Sequence, residues 1–225
     1  MNIHTALRMI NPASAWAPPP GQAAWYGGPG VTYNEATEED EWTDLLGNGN
    51  HAALISGAAV NANGLDLSQD ADARGLVADY AGIQLAEWTV CLWVYPITIS
   101  GTRVLFSKPT FQTGVYANLE TTYRTRLFWR NSADALHFGP LSLESWSHFA
   151  YTRDGDGDTT IRYNGGTAAT DTMATDTVAI GDLLIGRNQE GQAFDGYIDD
   201  FGIWSRALSQ EEIQDQIENS PWSHA

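Results

Sequence analysis

The chain contains almost no cysteine and almost no lysine, and each scarcity excludes a class of protein. Cys91 is the only cysteine among 225 residues, so no disulfide can form within the chain. It stands in the apolar run from Trp88 to Tyr95, which indicates an inert thiol in the core. Lys108 is the only lysine, and the formal net charge is −17. Because nucleic acids and anionic membranes attract basic surfaces, we expect neither as a partner.

Long apolar runs are also missing. No stretch approaches the roughly 20 apolar residues that a membrane helix needs, so we expect no insertion into a membrane. Residues 1–20 lack the basic start and the continuous apolar stretch of a secretory signal.

Arrangements of catalytic residues are absent as well. Retaining glycosidases use two carboxylates about 5–5.5 Å apart, and a strand supplies such a pair from alternate positions. The acidic run 38–41 is consecutive instead, and we interpret it as a solvated loop. No Ser-His-Asp or Cys-His arrangement is legible, and His148, on a strand expected to be buried, is interpreted as structural. We therefore expect that the domain is not an enzyme.

What the sequence does contain is a series of short strand-like runs between links rich in Gly, Asp, Asn, Ser and Thr. The runs are residues 23–26, 89–96, 102–107, 114–118, 124–130, 148–153, 160–163, 182–185 and 197–204. Many short strands beside one clear helix predict an all-β fold, an antiparallel sandwich of two sheets. With 43% hydrophobic residues, a chain of this length can bury a large core as one domain.

The most informative segment lies near the carboxyl end. Apolar residues on both faces of Tyr197–Trp204 predict a strand that is covered on both sides. Asp199 and Asp200 are adjacent within it, and at least one must be buried, where it needs a cation or several hydrogen-bond donors. Ser209 precedes Glu212 by three residues, the spacing of a capping box, which predicts the start of a short helix.

This segment, FDGYIDDFGIWSRALSQEEI at residues 194–213, closely resembles the carboxyl-terminal signature of LamG-like jelly rolls in the concanavalin A-like lectin/glucanase superfamily. The resemblance extends to residues 43–51, 89–95, 146–155, 161–166 and 183–186. It implies a two-sheet jelly-roll sandwich with a short C-terminal helix over residues 21–217. Residues 1–20 are then an N-terminal arm and residues 218–225 a C-terminal tail.

The resemblance also implies a structural Ca²⁺ in some members, held by an aspartate of the late strand and by loop oxygens near the N-terminal strand. The matching residues are Asp199 or Asp200, with Asp44, Asn48 and Asn50 as loop partners. Calcium prefers several oxygen ligands of this kind. The alternative is that the aspartates accept hydrogen bonds from Arg206 and backbone amides. A second acidic run, residues 154–158, lacks the glycine and the acid that a calcium loop places later, and it is interpreted as a hairpin turn.

One predicted strand concentrates arginine. Alternation along residues 123–130 places four side chains on one face: Arg124, Arg126, Phe128 and Arg130. Three arginines thus share one face of a strongly acidic protein. They either neutralise neighbouring acids or form a site for an acidic glycan or an acidic partner subunit.

The arm lies outside the resemblance. Ile3, Leu7 and Ile10 share one face at helical spacing, and the prolines at 18–20 give a stiff, extended spacer. We expect this arm to dock on another subunit of an assembly, in the manner of a helix in a groove.

The sequence favours a non-catalytic LamG-like binding or structural module on the surface of a viral particle, as a capsid decoration, turret or tail protein with host glycans as ligands. A lone lectin-like domain, a start at Met1 without a signal, and the arm motivate this hypothesis by analogy. Its partners would be other virion proteins or further copies of the chain. One alternative is a secreted or cell-surface carbohydrate-binding module. Another is a glycoside hydrolase, although the superfamily's alternating carboxylates are absent.

Overall fold

The computed structural model of the protein describes residues 16–34, 39–83, 86–108, 115–120, 124–129, 136–139, 141–173 and 181–225. Within these ranges the chain is nearly all β, in two antiparallel sheets with one short helix near the carboxyl end. This architecture confirms the predicted fold class.

The strands are β1 Gln22–Tyr26, β2 Val31–Asn34, β3 Glu39–Trp42, β4 Ala52–Ile55, β5 Ala59–Asn61, β6 Gly64–Asp66, β7 Arg74–Val77, β8 Trp88–Pro96, β9 Arg103–Lys108, β10 Val115–Glu120, β11 Arg124–Trp129, β12 Leu136–Phe138, β13 Ser147–Arg153, β14 Asp158–Tyr163, β15 Gly166–Thr172, β16 Leu183–Ile185 and β17 Gly196–Trp204. The helix, α1, is Gln210–Asn219. Sheet A has the order β15-β14-β13-β8-β17-β6-β5, with β1 also paired to β17. Sheet B has the order β12-β11-β10-β9-β16-β7-β4-β3-β2.

Aromatic side chains join the inner faces of the two sheets. Phe106 of sheet B meets two rings of sheet A edge-on, Tyr151 at 5.5 Å and Phe201 at 6.0 Å between ring centroids. All three side chains are fully buried. Burying one such side chain contributes about 1.5–3 kcal/mol, so this cluster fixes the distance between the sheets.

A second apolar layer lies on the outer face of sheet A, where α1 packs. Ile213 and Ile217 of the helix join Cys91 and Trp204 of the sheet in one buried cluster. Burial raises the pKa of the Cys91 thiol well above its ordinary value, with a smaller contribution from Asp200. The strand β17 is therefore covered on both faces, and the thiol is an inert core group, as predicted.

The start of the helix forms as predicted. The Ser209 side chain accepts a hydrogen bond from Glu212 N at 3.2 Å, and the Glu212 carboxylate accepts one from Ser209 N at 2.9 Å. Arg206 adds two bonds to the same carboxylate at 2.6 and 2.8 Å. No helix in the described part of the chain is long and apolar enough to cross a membrane.

The acidic run 38–41 was predicted wrongly. Residues Glu39–Trp42 form strand β3, which pairs with β2 and β4. Trp42, just beyond the run, is fully buried, whereas Asp40 is exposed. Cross-strand pairing and the burial of one tryptophan outweigh the weak strand propensity of the acids.

The other acidic run forms the expected hairpin turn. The Asp154 carboxylate accepts hydrogen bonds from Asp156 N at 3.1 Å and Asp158 N at 2.9 Å. These are the local bonds with which aspartate stabilises a turn.

Residues on both sides of the predicted sandwich contact it. Trp204 donates its indole N–H to Pro19 O at 3.0 Å, and Arg206 donates to Pro20 O at 2.8 Å. The proline spacer is thus anchored on the end of β17. At the other end of the chain, the Trp222 ring lies against the backbone of Gly28. Ile3, Leu7 and Ile10 lie outside the described residues, so the arm and its docking role stay predictions.

Candidate functional site

The outer face of sheet A carries an open cleft of about 490 Å³ beside the helical layer. We call it the aromatic cleft; it is lined by Asn63, Tyr95, Ile97, Glu144, Trp146 and Tyr197. Clefts of about 300–1,000 Å³ are typical of small-molecule sites.

Pairing within sheet A brings the aromatic walls together. Tyr95 on β8 and Tyr197 on β17 are direct cross-strand partners, with ring centroids 5.8 Å apart. Trp146, just before β13, lies 5.5 Å from Tyr95. All three rings are half-buried, so each keeps part of its surface for a ligand.

Two polar residues stand at the edge of the cleft. Glu144 has a left-handed backbone with φ 53° and is held by a 2.9 Å bond from its N–H to Pro96 O. Its side chain is exposed, and no described residue forms a hydrogen bond or an ion pair with its carboxylate. Asn63 is exposed in the turn between β5 and β6, where its N–H donates to Asn61 Oδ1 at 2.7 Å.

The carboxyl-terminal residues support one wall of the cleft. The His224 ring stacks on Trp146 with centroids 3.7 Å apart and planes inclined by 10°. Its Nε2 lies 3.0 Å from Asp199 Oδ2. The predicted tail therefore connects Trp146 to the buried aspartate of β17.

Both aspartates of β17 lie on the helix side of sheet A. The strand has a bulge between residues 199 and 202, and Asp200 has a left-handed φ of 46°. A regular strand alternates its side chains, so this bulge explains why two neighbours are buried together. Asp199 Oδ1 accepts hydrogen bonds from Gly28 N and Asp200 N, both at 2.8 Å.

Asp200 is fully buried beneath the helix. It accepts a hydrogen bond from Trp25 Nε1 at 2.6 Å and one from Gln216 Nε2 at 3.4 Å. Burial raises the pKa of Asp200 to about 7, although the Trp25 hydrogen bond opposes this shift. The Asp199 charge raises the pKa further.

The three loop residues predicted as calcium ligands form a network around β1, and Trp25 links it to Asp200. The Asp44 carboxylate accepts backbone hydrogen bonds from Leu46 at 3.1 Å, Trp25 at 3.3 Å and Asn50 at 3.4 Å. The side-chain amides of Asn48 and Asn50 both donate to Ala23 O at 3.3 Å.

The predicted calcium ligands thus lie in two hydrogen-bonded groups that Trp25 joins. N–H groups already point at the carboxylate oxygens of Asp44, Asp199 and Asp200. In the described ranges, no group of three or more His, Cys, Asp or Glu side chains is placed to hold a metal ion. As arranged, these carboxylates accept hydrogen bonds from N–H donors, and the calcium implied by the family resemblance stays a prediction. Arg206, the predicted alternative partner of the aspartates, pairs with Glu212 instead.

The arginine strand shows the alternation that the sequence predicts. Thr125 and Leu127 are buried, whereas Arg124 is exposed and Arg126 is half-buried. Arg126 forms an ion pair with Glu120, which supports the charge-balance interpretation.

Two members of the arginine face remain untested. Arg130 and the side chain of Phe128 lie outside the described residues, so binding by this face stays a prediction.

His148 is a buried structural residue. Burial lowers its pKa to about 3, so the ring is neutral at physiological pH. The ring meets Trp93 edge-on at 5.2 Å, and neither ring nitrogen has a hydrogen-bond partner among the described residues.

Sequence analysis did not identify the aromatic cleft. Tyr95 and Tyr197 stand at the ends of two predicted strands, but their aromatic character is equally typical of a core. What distinguishes these two tyrosines from core residues is their pairing, because the register of β8 against β17 makes them neighbours.

Curated proteins similar to the chain include a pentraxin. The chain is 31% identical to pentraxin-related protein PTX3 of Bos taurus over 153 residues, 59% of this chain and 39% of that protein. The Homo sapiens protein of the same name is 28% identical over 157 residues, 63% of this chain and 41% of that protein. The chain spans about two fifths of the length of these relatives.

Solved structures share the fold at low identity. A Trypanosoma rangeli sialidase matches with a TM-score of 0.71 and 15% identity, over 92% of this chain and 34% of that one. The ligand-binding domain of botulinum neurotoxin serotype D, solved in complex with N-acetylneuraminic acid, matches with a TM-score of 0.62 and 15% identity, over 89% of this chain and 51% of that one.

The family model Laminin_G_3 matches residues 69–214, which include the late strand and the first half of the helix. That range also contains Tyr95, Glu144, Trp146 and Tyr197 of the aromatic cleft. With its two antiparallel sheets and its capped terminal helix, the chain belongs to the Laminin_G_3 family of the concanavalin A-like lectin/glucanases superfamily.

Proposed function

We propose that the domain is a non-catalytic glycan-binding module whose ligand lies in the aromatic cleft. The observation that carries this proposal is the convergence of Tyr95, Trp146 and Tyr197 on one open cleft. Sugar rings present C–H groups on their faces and hydroxyl groups at their edges. Aromatic faces suit the former, and the side chains of Asn63 and Glu144 suit the latter.

The absence of catalysis is part of the proposal. Glu144 is the only carboxylate among the described residues that line the cleft. Retaining glycosidases need a second one about 5–5.5 Å away, and inverting glycosidases need one at about 6.5–9.5 Å. A single acid can orient a sugar, but it cannot supply both the acid and the nucleophile or base.

Family membership and structural neighbours support a glycan as the ligand class. The botulinum neurotoxin domain that shares this fold was solved with N-acetylneuraminic acid bound. At 15% identity this likeness concerns the fold, so it supports binding of a glycan and not of that sugar in particular.

The location of the domain is a separate proposal. We infer from the sequence that it stands on a viral particle, fastened through residues 1–20; a secreted or cell-surface module is the alternative. Deleting the arm, as set out in the Discussion, tests the attachment.

A glycan array followed by titration calorimetry tests the binding proposal. Tyr197→Ala should weaken the best ligand about tenfold or more, the effect expected of an aromatic residue central to a binding site. Leu143→Ala, at an exposed residue that does not line the cleft, is the control and should bind normally. A glycan whose affinity is equal in both variants would place the site elsewhere, and an array without any hit would overturn the proposed function.

A further inference from the structure

We infer that the aromatic cleft selects a positively charged ligand, specifically a sugar that carries a free amine. This inference rests on the proposed function, because it names the class of glycan that the cleft takes. It is carried by the ring geometry, by the charges around the cleft and by the backbone of Glu144.

The three rings form a partial cage. Tyr95 stands between Trp146 at 5.5 Å and Tyr197 at 5.8 Å, measured between ring centroids. Their planes are inclined to the Tyr95 ring by 58° and 61°, so they do not form one flat platform. An ammonium group gains from aromatic faces within about 6 Å of their centroids. Spacings of this size place one cation within reach of more than one ring.

The charge that lines the cleft is negative, and His224, which stacks on Trp146 from outside the lining, is paired with Asp199. Glu144 is the only charged residue among the described residues that line it, and no Lys, Arg or His is among them. The chain as a whole carries a formal charge of −17. An anionic sugar would be repelled by these negative charges, and no cationic side chain lining the cleft would compensate. A protonated amine would be attracted by the net charge of the protein at long range and by Glu144 within the cleft.

The backbone of Glu144 points to a role for its side chain. A non-glycine residue with positive φ is uncommon, and asparagine or aspartate is the usual choice there. Glu144 nevertheless adopts a φ of 53°, and non-glycine residues in this region are concentrated at functional sites. The bond to Pro96 O fixes this backbone at the mouth of the cleft. The carboxylate has no partner among the described residues, so its charge remains available to a ligand.

Calorimetry with three probes at pH 6 and low salt tests the inference. The probes are a glucosamine tetrasaccharide with free amines, its fully N-acetylated counterpart, and tetramethylammonium, which is a cation without a sugar. We expect the free-amine tetrasaccharide to bind about tenfold more tightly than the acetylated one, and this preference to shrink as salt is added.

The variant Glu144→Gln isolates the charge. It should lower the affinity for the free-amine tetrasaccharide and for tetramethylammonium about three- to tenfold, and leave the acetylated sugar unchanged. Leu143→Ala is the matched control, since Leu143 is an exposed neighbour that does not line the cleft. Melting temperatures of both variants confirm that they fold.

The outcomes separate this inference from the proposed function. Equal binding of both tetrasaccharides, tighter binding of a sialylated sugar, or an unchanged Glu144→Gln variant would overturn the selection of a cation and leave glycan binding intact. Binding of tetramethylammonium without either sugar would overturn the selection of an amino sugar, and the array would then decide glycan binding. If none of the probes binds, the inference fails, and the array decides the proposed function separately.

Discussion

Trp25 donates its indole N–H to Asp200 Oδ1 over 2.6 Å and thereby joins the first strand of the sandwich to a carboxylate buried beneath the helix. This bond crosses 175 residues of sequence. The carboxylate has further contacts, but none of its described partners is a cation. Its protonation is therefore coupled to folding.

The first prediction is that Asp200 makes stability fall as pH rises. The unfolded carboxyl loses its proton near pH 3.8, whereas the folded one keeps it up to about pH 7. Between these values the folded state binds more protons, so the free energy of unfolding decreases as pH rises from about 4 to 7. Three pKa units correspond to roughly 4 kcal/mol. Urea unfolding at pH 5 and pH 8 measures the slope.

Asp200→Asn is the matched variant for this prediction. Asparagine tolerates the left-handed backbone and cannot ionise. Its amide can donate to Gln216 Oε1, which has no hydrogen-bond partner among the described residues. We expect the variant to be more stable than the native protein at pH 8 and to lose most of the slope. Equal slopes in the two proteins would contradict the shifted pKa.

The second prediction concerns Asp199 and calcium. Asp199→Ala would leave the N–H groups of Gly28 and Asp200 buried without an acceptor, so the free energy of unfolding should drop by about 3–5 kcal/mol. A chelator should leave the melting temperature of the native protein unchanged, because N–H donors occupy the carboxylates. A fall in melting temperature on chelation that calcium reverses would instead show the metal implied by the family resemblance.

Some of this architecture could be predicted from sequence and some could not. Strand β17 and helix α1 could be predicted, because apolar residues on both faces of a strand and the capping box of Ser209 are local sequence patterns. Strand β3 could not be predicted, because acidic residues have a weak strand propensity. It is stabilised by the buried Trp42 and by pairing with β2 and β4. The paired burial of Asp199 and Asp200 depends on a bulge, which alternation does not reveal. The cleft depends on the register between two strands about 100 residues apart, and the hydrophobic pattern within each strand does not by itself show which residues become partners.

The third prediction is that His224 positions Trp146 for ligand binding. His224→Ala removes the stacked ring, so Trp146 should become more mobile and glycan affinity should fall about three- to tenfold. His224→Phe restores a ring but not the bond to Asp199, and it should recover most of the affinity. Calorimetry measures both variants, and Trp146→Ala gives the full loss for comparison. If the Phe variant binds as weakly as the Ala variant, stacking on residue 224 is not what positions Trp146.

The fourth prediction addresses the arginine face. Arg126→Glu places a carboxylate beside the half-buried Glu120 and should destabilise the protein by about 1 kcal/mol, the upper end of the range for a surface pair. If the pair only balances charge, adding Glu120→Arg should restore stability. If the face instead binds an acidic partner or glycan, Arg126→Glu should abolish that binding in pull-down or calorimetry, and the double variant need not regain it.

The fifth prediction is that the first 15 residues, and not the anchored prolines, fasten the protein to its assembly. Removing residues 1–15 should leave a soluble sandwich with a native melting temperature, because Pro19 and Pro20 keep their bonds to Trp204 and Arg206. Removing residues 1–20 should also lower the free energy of unfolding by about 1–3 kcal/mol, since the buried Trp204 indole loses its acceptor. Ile3→Asp with Leu7→Asp should reproduce the shorter deletion. Light scattering of each variant, alone and with candidate partner proteins, measures assembly. If the shorter deletion assembles at native stoichiometry, attachment runs through the sandwich faces.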